Sequence, residues 1–230
     1  MHTGARKTQK DLIKLQFALQ ADDWIIQIVP EGNQERPIRD IIPSRKLFST
    51  EQVSWFRAKN ANGCHIYGRP NSTRYVLVDF DENGETALRR MREDDLLPSV
   101  VIETSPGKFQ AWVAVSREEL PIPVATALGR IIARSYGGDG GSTDAFHVGR
   151  LPGLRNKKAK YRANPNDGGP LVILRTALVV PKIPNGIDDF IKEAERMAAD
   201  LAASSPSALL GACAPINSDV GIDPSLSPLS

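Results

Sequence analysis

Apolar residues recur at helical spacing in "DLIKLQFALQ" (11–20), which predicts an amphipathic helix. "WIIQIV" (24–29) is short, apolar and rich in β-branched residues, the pattern of a strand. Ser49 and Gln52 have capping-box spacing, so "EQVSWFRAKN" (51–60) reads as a helix. "CHIYGRP" (64–70) and "RYVLVDFD" (74–81) look like two strands around a "PNS" turn. "GETALRRMREDD" (84–95) predicts a charged surface helix. Residues 99–115 predict a hairpin, with "SVVIETS" and "FQAWVAV" on either side of a "PGK" turn. Ser116 and Glu119 repeat the capping-box spacing ahead of a helix at 122–136, which Gly137-Gly138 ends. A strand over "LVILRTALVV" (171–180) and a helix over "IDDFIKEAERMAADLAAS" (187–204) follow. Trp24, Trp55 and Trp112 read as core residues, and Trp112 also shares a strand face with Gln110, where it could stack on a base.

Between these elements, residues 137–170 are rich in Gly, Asn, Asp and basic residues, the texture of a functional loop and not of a filler. From Ser205 the chain is Ser/Pro-rich without periodicity, which predicts a disordered tail over 205–230. One α+β domain over 1–180, a C-terminal helix over 181–204 and the tail account for the whole pattern. At 230 residues and 41% hydrophobic content, the chain can bury a real core. With 29 basic and 27 acidic residues, any affinity for nucleic acid has to come from a local patch. Cys64 and Cys213 form no CxxC pair, which disfavours a zinc ribbon and suits a reducing cytoplasm. The N-terminus lacks a signal-peptide apolar region, and no apolar run approaches the length of a membrane span.

The chemistry begins at "YVLVDFDENG" (75–84). A strand alternates its faces, so Tyr75, Leu77, Asp79 and Asp81 share one side. Like charges roughly 7 Å apart at Cα repel unless a cation sits between them. Two readings are open from this segment alone: a polar strand end running into an Asn83-Gly84 turn, or a metal-binding pair. Further on, "RLPGLRNKKAKYR" (150–162) holds six Lys or Arg and no acid, with Gly and Pro preventing a simple charged helix. Arginines and lysines on such a loop suit phosphate, by bidentate contact and by point charge respectively. Asp144 lies just upstream as a third carboxylate, with Asp139 as its alternative. Mg²⁺ and Mn²⁺ take oxygen ligands of this kind, commonly one or two carboxylates plus substrate phosphates. His147 either touches phosphate or packs, and His65, in an apolar strand, reads as a structural histidine with its hydrogen bonds met.

In the order "hhhhDhD", "TSxGxxQxW" and "D…RLPGxRNxK", residues 60–160 resemble the RepB-type plasmid replication primases. These belong to the archaeo-eukaryotic primase superfamily and also occur fused to mobilisation relaxases. The resemblance implies a central, mainly antiparallel RRM-like sheet flanked by helices. It also implies primer synthesis on a single-stranded DNA template from nucleoside triphosphates, by two-metal transfer with Mg²⁺ or Mn²⁺. Asp79, Asp81 and Asp144 match the metal ligands; Ser105, Lys108, Gln110, His147, Arg150, Asn156 and Lys158 fall in the segments that hold nucleotide or phosphate. Arg155, Lys157, Lys160 and Arg162 are the expected DNA contacts, and a plasmid helicase, initiator or relaxase the expected partners. Where superfamily members often carry a histidine on the hairpin, this chain has Gln110, which donates a hydrogen bond but no charge. The rival from another class is a non-catalytic RRM-like module that binds single-stranded nucleic acid. Such modules rely on exposed sheet aromatics, and this chain is only 6% aromatic.

Overall fold

A computed structural model describes residues 3–31, 37–164 and 167–204. Its strands form two four-stranded sheets in which every pairing is antiparallel. The first contains β1 (Asp23–Val29), β2 (Ile38–Pro43), β3 (His65–Pro70) and β7 (Gly149–Arg150), in the order β2-β1-β3-β7. The second contains β4 (Tyr75–Phe80), β5 (Val100–Ser105), β6 (Lys108–Ala114) and β8 (Ile173–Ala177), in the order β4-β6-β5-β8. Both strands expected around "PNS" are present, but they do not pair: β3 joins one sheet and β4 the other.

Among the described residues, six α-helices surround the sheets: α1 (Thr3–Leu19), α2 (Ser44–Leu47), α3 (Thr50–Ala61), α4 (Gly84–Glu93), α5 (Ile122–Tyr136) and α6 (Ile187–Ala203). The Ser49 side chain accepts from Gln52 N and caps α3 as its spacing indicates. Helix α5 ends at Gly137, whose φ of 77° is left-handed and open to glycine at little cost. The second capping box does not form. Pro121 is the cap residue of α5, while the Ser116 hydroxyl accepts from Glu118 N. Glu119 turns away instead and accepts from the Ser72 hydroxyl, Thr73 N and the Thr73 hydroxyl, pinning the β3–β4 turn. Although burial pulls that carboxyl up, these bonds bring it below its ordinary range.

Each face of the second sheet has its own core. Leu77, Ile102 and Trp112 look toward β1, β3, α1 and α3, and meet Leu12, Trp24, Ile28 and Phe56. Val78, Phe80 and Val113 look toward α4, α5 and α6, and meet Met91, Leu128 and Ile132. Trp24 and Trp112 are fully buried, each contributing on the order of 2–3 kcal/mol by removal from water. Trp112 is therefore not open to a base, because its strand face is the core face. Trp55 is 39% exposed on α3 and is not a core residue. Strand β2 has no counterpart in the sequence reading; four of its six residues are exposed, as suits a sheet edge. The tail from Ser205 and Cys213 lie outside the described residues. Among the described residues, no helix is long and apolar enough to cross a membrane.

Candidate active site

The two sheets leave between them a cleft of about 500 Å³. Strand β4 delivers Asp79 to it from a face that is otherwise core, so the carboxyl is largely buried. Burial pushes the Asp79 carboxyl up, Gln110 opposes the shift with a hydrogen bond, and the neighbouring Asp81 adds to it. Gln110 Nε2 donates to Asp79 Oδ2 at 3.2 Å, across a pair directly opposed in the ladder. Asp81 lies just past the strand end, where Lys108 Nζ donates to its carbonyl at 2.6 Å and to Oδ1 at 3.2 Å.

The segment after α5 closes against this strand end. Asp139 N donates to Asp79 O at 2.8 Å, and a Cβ on Gly138 would stand only 2.6 Å from a Val78 methyl. Only glycine permits so close an approach. Asp139 then accepts from Gly141 N and the Ser142 hydroxyl, which hold its carboxyl below the usual range. Asp144 accepts from Phe146 N, and His147 Nδ1 stands 3.4 Å from its other oxygen. Beneath this turn lies Arg69, almost wholly buried between the rings of Trp112 and Phe146. Its guanidinium donates to the carbonyls of Pro70, Ser72, Ala145 and His147, and so fixes the turn carrying Asp144. Burial brings it down to about 10, which leaves it cationic at neutral pH.

Opposite the acids, Arg150 Nη2 donates to the Tyr67 hydroxyl at 3.2 Å, and the guanidinium sits 4.9 Å over the Tyr67 ring. Arg150 N donates to Gln110 Oε1 at 2.8 Å. Both ends of the buried Gln110 amide are thus engaged, one by each wall. Lys158 completes the basic side.

Of the residues singled out from the sequence, Asp79, Asp81, Asp139, Asp144, Gln110, His147, Arg150, Asn156 and Lys158 line this one cleft. Ser105, Lys108, Arg155, Lys157, Lys160 and Arg162 do not. Asn156 is buried; it donates to Thr104 O and the Ser105 hydroxyl, which latches the basic loop to the β5–β6 hairpin. Arg155 donates to Gly169 O, and Arg162 to Glu31 and the Lys157 carbonyl. His65 lacks the expected partner: Nδ1 is buried with no hydrogen bond among the described residues. Burial first, and then the charge of Arg150, hold it down to about 4. Gln27, Arg39, Tyr67 and Tyr161 also line the cleft and were not singled out. Tyr67 stands inside the "IYGRP" segment, while Arg39 belongs to the unforeseen β2.

The donors suit a hard divalent cation. Asp79 is a desolvated carboxyl beside a second one, with a single neutral donor, an environment that a cation would relieve. Among the described residues, no three His, Cys, Asp or Glu side chains stand close enough to hold an ion unaided. Two carboxylates completed by substrate phosphates is a common way to bind Mg²⁺.

Two four-stranded antiparallel sheets facing across one cleft are a fold that solved primase domains share. The structure superposes on the catalytic domain of primase RepB′ solved with initiator DNA, with a TM-score of 0.73 at 24% identity, over 86% of this chain and 98% of that one. It also matches the AEP domain of the cyanophage S-2L primase-polymerase, with a TM-score of 0.57 at 11% identity, over 79% of this chain and 97% of that one. Residues 46–179 match the RepB DNA-primase N-terminal domain, and the chain belongs to that family. It is 32% identical over 152 residues to mobilization protein A of Escherichia coli, covering 64% of this chain and 21% of that protein. It is 31% identical over 102 residues to a DNA primase of Acidithiobacillus ferrooxidans, covering 44% of this chain and 29% of that one. The matched region spans well under half the length of these curated relatives.

Proposed function

We propose that this chain is the catalytic part of a DNA primase, which makes short primers on single-stranded DNA from nucleoside triphosphates in the replication of a plasmid or mobile element. The observation that carries the reading is the opposition of two walls in one cleft, Asp79 and Asp81 against Arg150 and Lys158. Family membership and the likeness to a mobilization protein support a cytoplasmic setting with a helicase, initiator or relaxase as partner.

Asp79 and Asp81 would hold Mg²⁺ or Mn²⁺ together with substrate phosphates, and Asp144, on the adjoining turn of the same cleft, would join them as a third carboxylate only on a shift of that turn. Bound there, the metal supplies activation of the primer 3′-hydroxyl and neutralisation of the leaving pyrophosphate. Arg150 and Lys158 offset triphosphate charge, and Gln110 sets the distance between the two walls through its two hydrogen bonds. Asn156 and Ser105 support the loop from behind. No side-chain nucleophile is required.

The test is primer synthesis on single-stranded DNA with labelled NTPs or dNTPs and Mg²⁺ or Mn²⁺. Wild type yields short products. The Asp79→Ala/Asp81→Ala double variant loses about a thousandfold or more, the scale of losing electrostatic transition-state stabilisation, and still binds DNA. Absence of product from wild type under both metals, with DNA binding intact, would leave a nucleic-acid-binding module in its place.

A further inference from the structure

At one level of the first sheet, four polar side chains stand in a straight rank. The ladder sets Arg39 opposite Gln27, Gln27 opposite Tyr67, and Tyr67 opposite Arg150. Side chains directly opposite one another across antiparallel strands share a face, and all four of these line the cleft. With strands about 4.8 Å apart, the rank runs roughly 14 Å from Arg39 to Arg150. Its inner end reaches the acids, since Arg150 N bonds the Gln110 amide that in turn bonds Asp79.

The rank is open for a ligand. Arg39 is exposed, and its guanidinium makes no hydrogen bond or ion pair among the described residues. The Gln27 amide likewise makes none. Arg150 has no carboxylate within ion-pair distance among the described residues; its one side-chain bond goes to the Tyr67 hydroxyl, whose proton stays free to donate. The rank thus carries a cation at each end and neutral hydrogen-bonding groups between them. Arg39, roughly 14 Å from Arg150, lies beyond the reach of a compact triphosphate held at the acids and suits a phosphate of an extended strand.

We propose that this rank seats the single-stranded template where it enters the cleft. Arg39 takes a backbone phosphate from the outer side, Gln27 and the Tyr67 hydroxyl meet the sugar and base edge that follow, and Arg150 lies at the step next to the acids. The inference rests on the primase reading of the cleft for the strand's role as template, but binding alone tests it.

The experiment is fluorescence anisotropy of a labelled oligothymidylate with the full chain, in EDTA and without nucleotide, across a salt series. Arg39→Gln, a surface change, is expected to weaken binding about fivefold at low salt and to lower the slope of log affinity against log salt by about 0.7, the value for one lost single-strand phosphate contact. Gln27→Leu weakens binding less and leaves the slope unchanged. Arg89→Gln, an exposed side chain of α4 outside the cleft lining, changes neither quantity. Wild-type affinity and slope in Arg39→Gln would overturn the proposal. So would a wild type that does not bind the oligonucleotide, or an Arg39→Gln effect confined to the KM for nucleotide. Wild-type protein that binds as described yet makes no primers would remove the primase reading and leave the seat standing. Primer synthesis together with unaltered binding in Arg39→Gln would remove the seat alone.

Discussion

Residues 155–162 carry five basic side chains, whereas the rank across the first sheet carries two. Much of the dense segment is engaged within the protein. Arg155 and Arg162 hold the loop to its surroundings, Lys157 is buried, and Lys160 rests 5.0 Å over the Tyr161 ring. Lys158 alone among the five lines the cleft. In the rank, Arg39 and Arg150 are 111 residues apart in sequence, yet the strand register puts them on one level with no carboxylate partner among the described residues. A run of charge reports composition; whether the charge is available depends on the carbonyls and carboxylates that the fold places beside it.

The strongest test of this contrast is at Arg69, because one guanidinium holds both β3 and the turn bearing Asp144. Arg69→Lys keeps a charge but loses the planar fork that reaches four carbonyls. It is expected to cost about 3 kcal/mol, a Tm drop of roughly 6–12 °C for a chain of this size. An unchanged Tm would show that the Asp144 turn is held by something else. A smaller effect is expected at Arg162. Arg162→Ala removes bonds to Glu31 and the Lys157 carbonyl and should cost about 1 kcal/mol in urea unfolding, with affinity for single-stranded DNA unchanged within about twofold. A loss as large as that of Arg39→Gln would break the contrast and return the loop to the DNA path.

The smallest effect concerns the joint between the sheets. Glu119 has a folded-state pKa below its unfolded one, so its contribution is present above the ordinary carboxylate range and is lost as pH falls through the lowered value. Glu119→Gln should lower Tm at neutral pH and leave the acid end of a Tm-against-pH curve nearly as it was, so that the slope between them flattens. A variant with the same acid slope as wild type would place that dependence on other carboxyls.

Most elements were legible because their apolar periods are strong, as in β4, the β5–β6 hairpin and α5. Strand β2 escaped because "IRDIIP" is an exposed edge with no clean alternation. Helix α1 starts at Thr3, ahead of its apolar run. Asp79, Asp81 and Asp144 stood out by type and order, and the fold brings all three to one cleft. Gln27, Arg39 and Tyr67 had no such signal, since their significance lies in cross-strand register, which a single strand's sequence does not contain. Ser116 failed as a cap for a local reason. Pro121 and Pro123 fix the start of α5 beyond its reach, which left Glu119 to find donors in a distant turn.

The two-residue strand β7 also governs the order in which this molecule can be assembled. The first three strands of its sheet are complete by Pro70, but the fourth, Gly149–Arg150, is made only after β4, β5 and β6 have been synthesised. A nascent chain that has emerged as far as Ala114 already holds Asp79 and Gln110, but not yet the Arg150 and Lys158 of the basic wall. Closure of the cleft is then a long-range step, the slow kind in folding, because a large loop must be ordered before its contacts form. Two residues arriving late decide when the acid wall acquires its opposite.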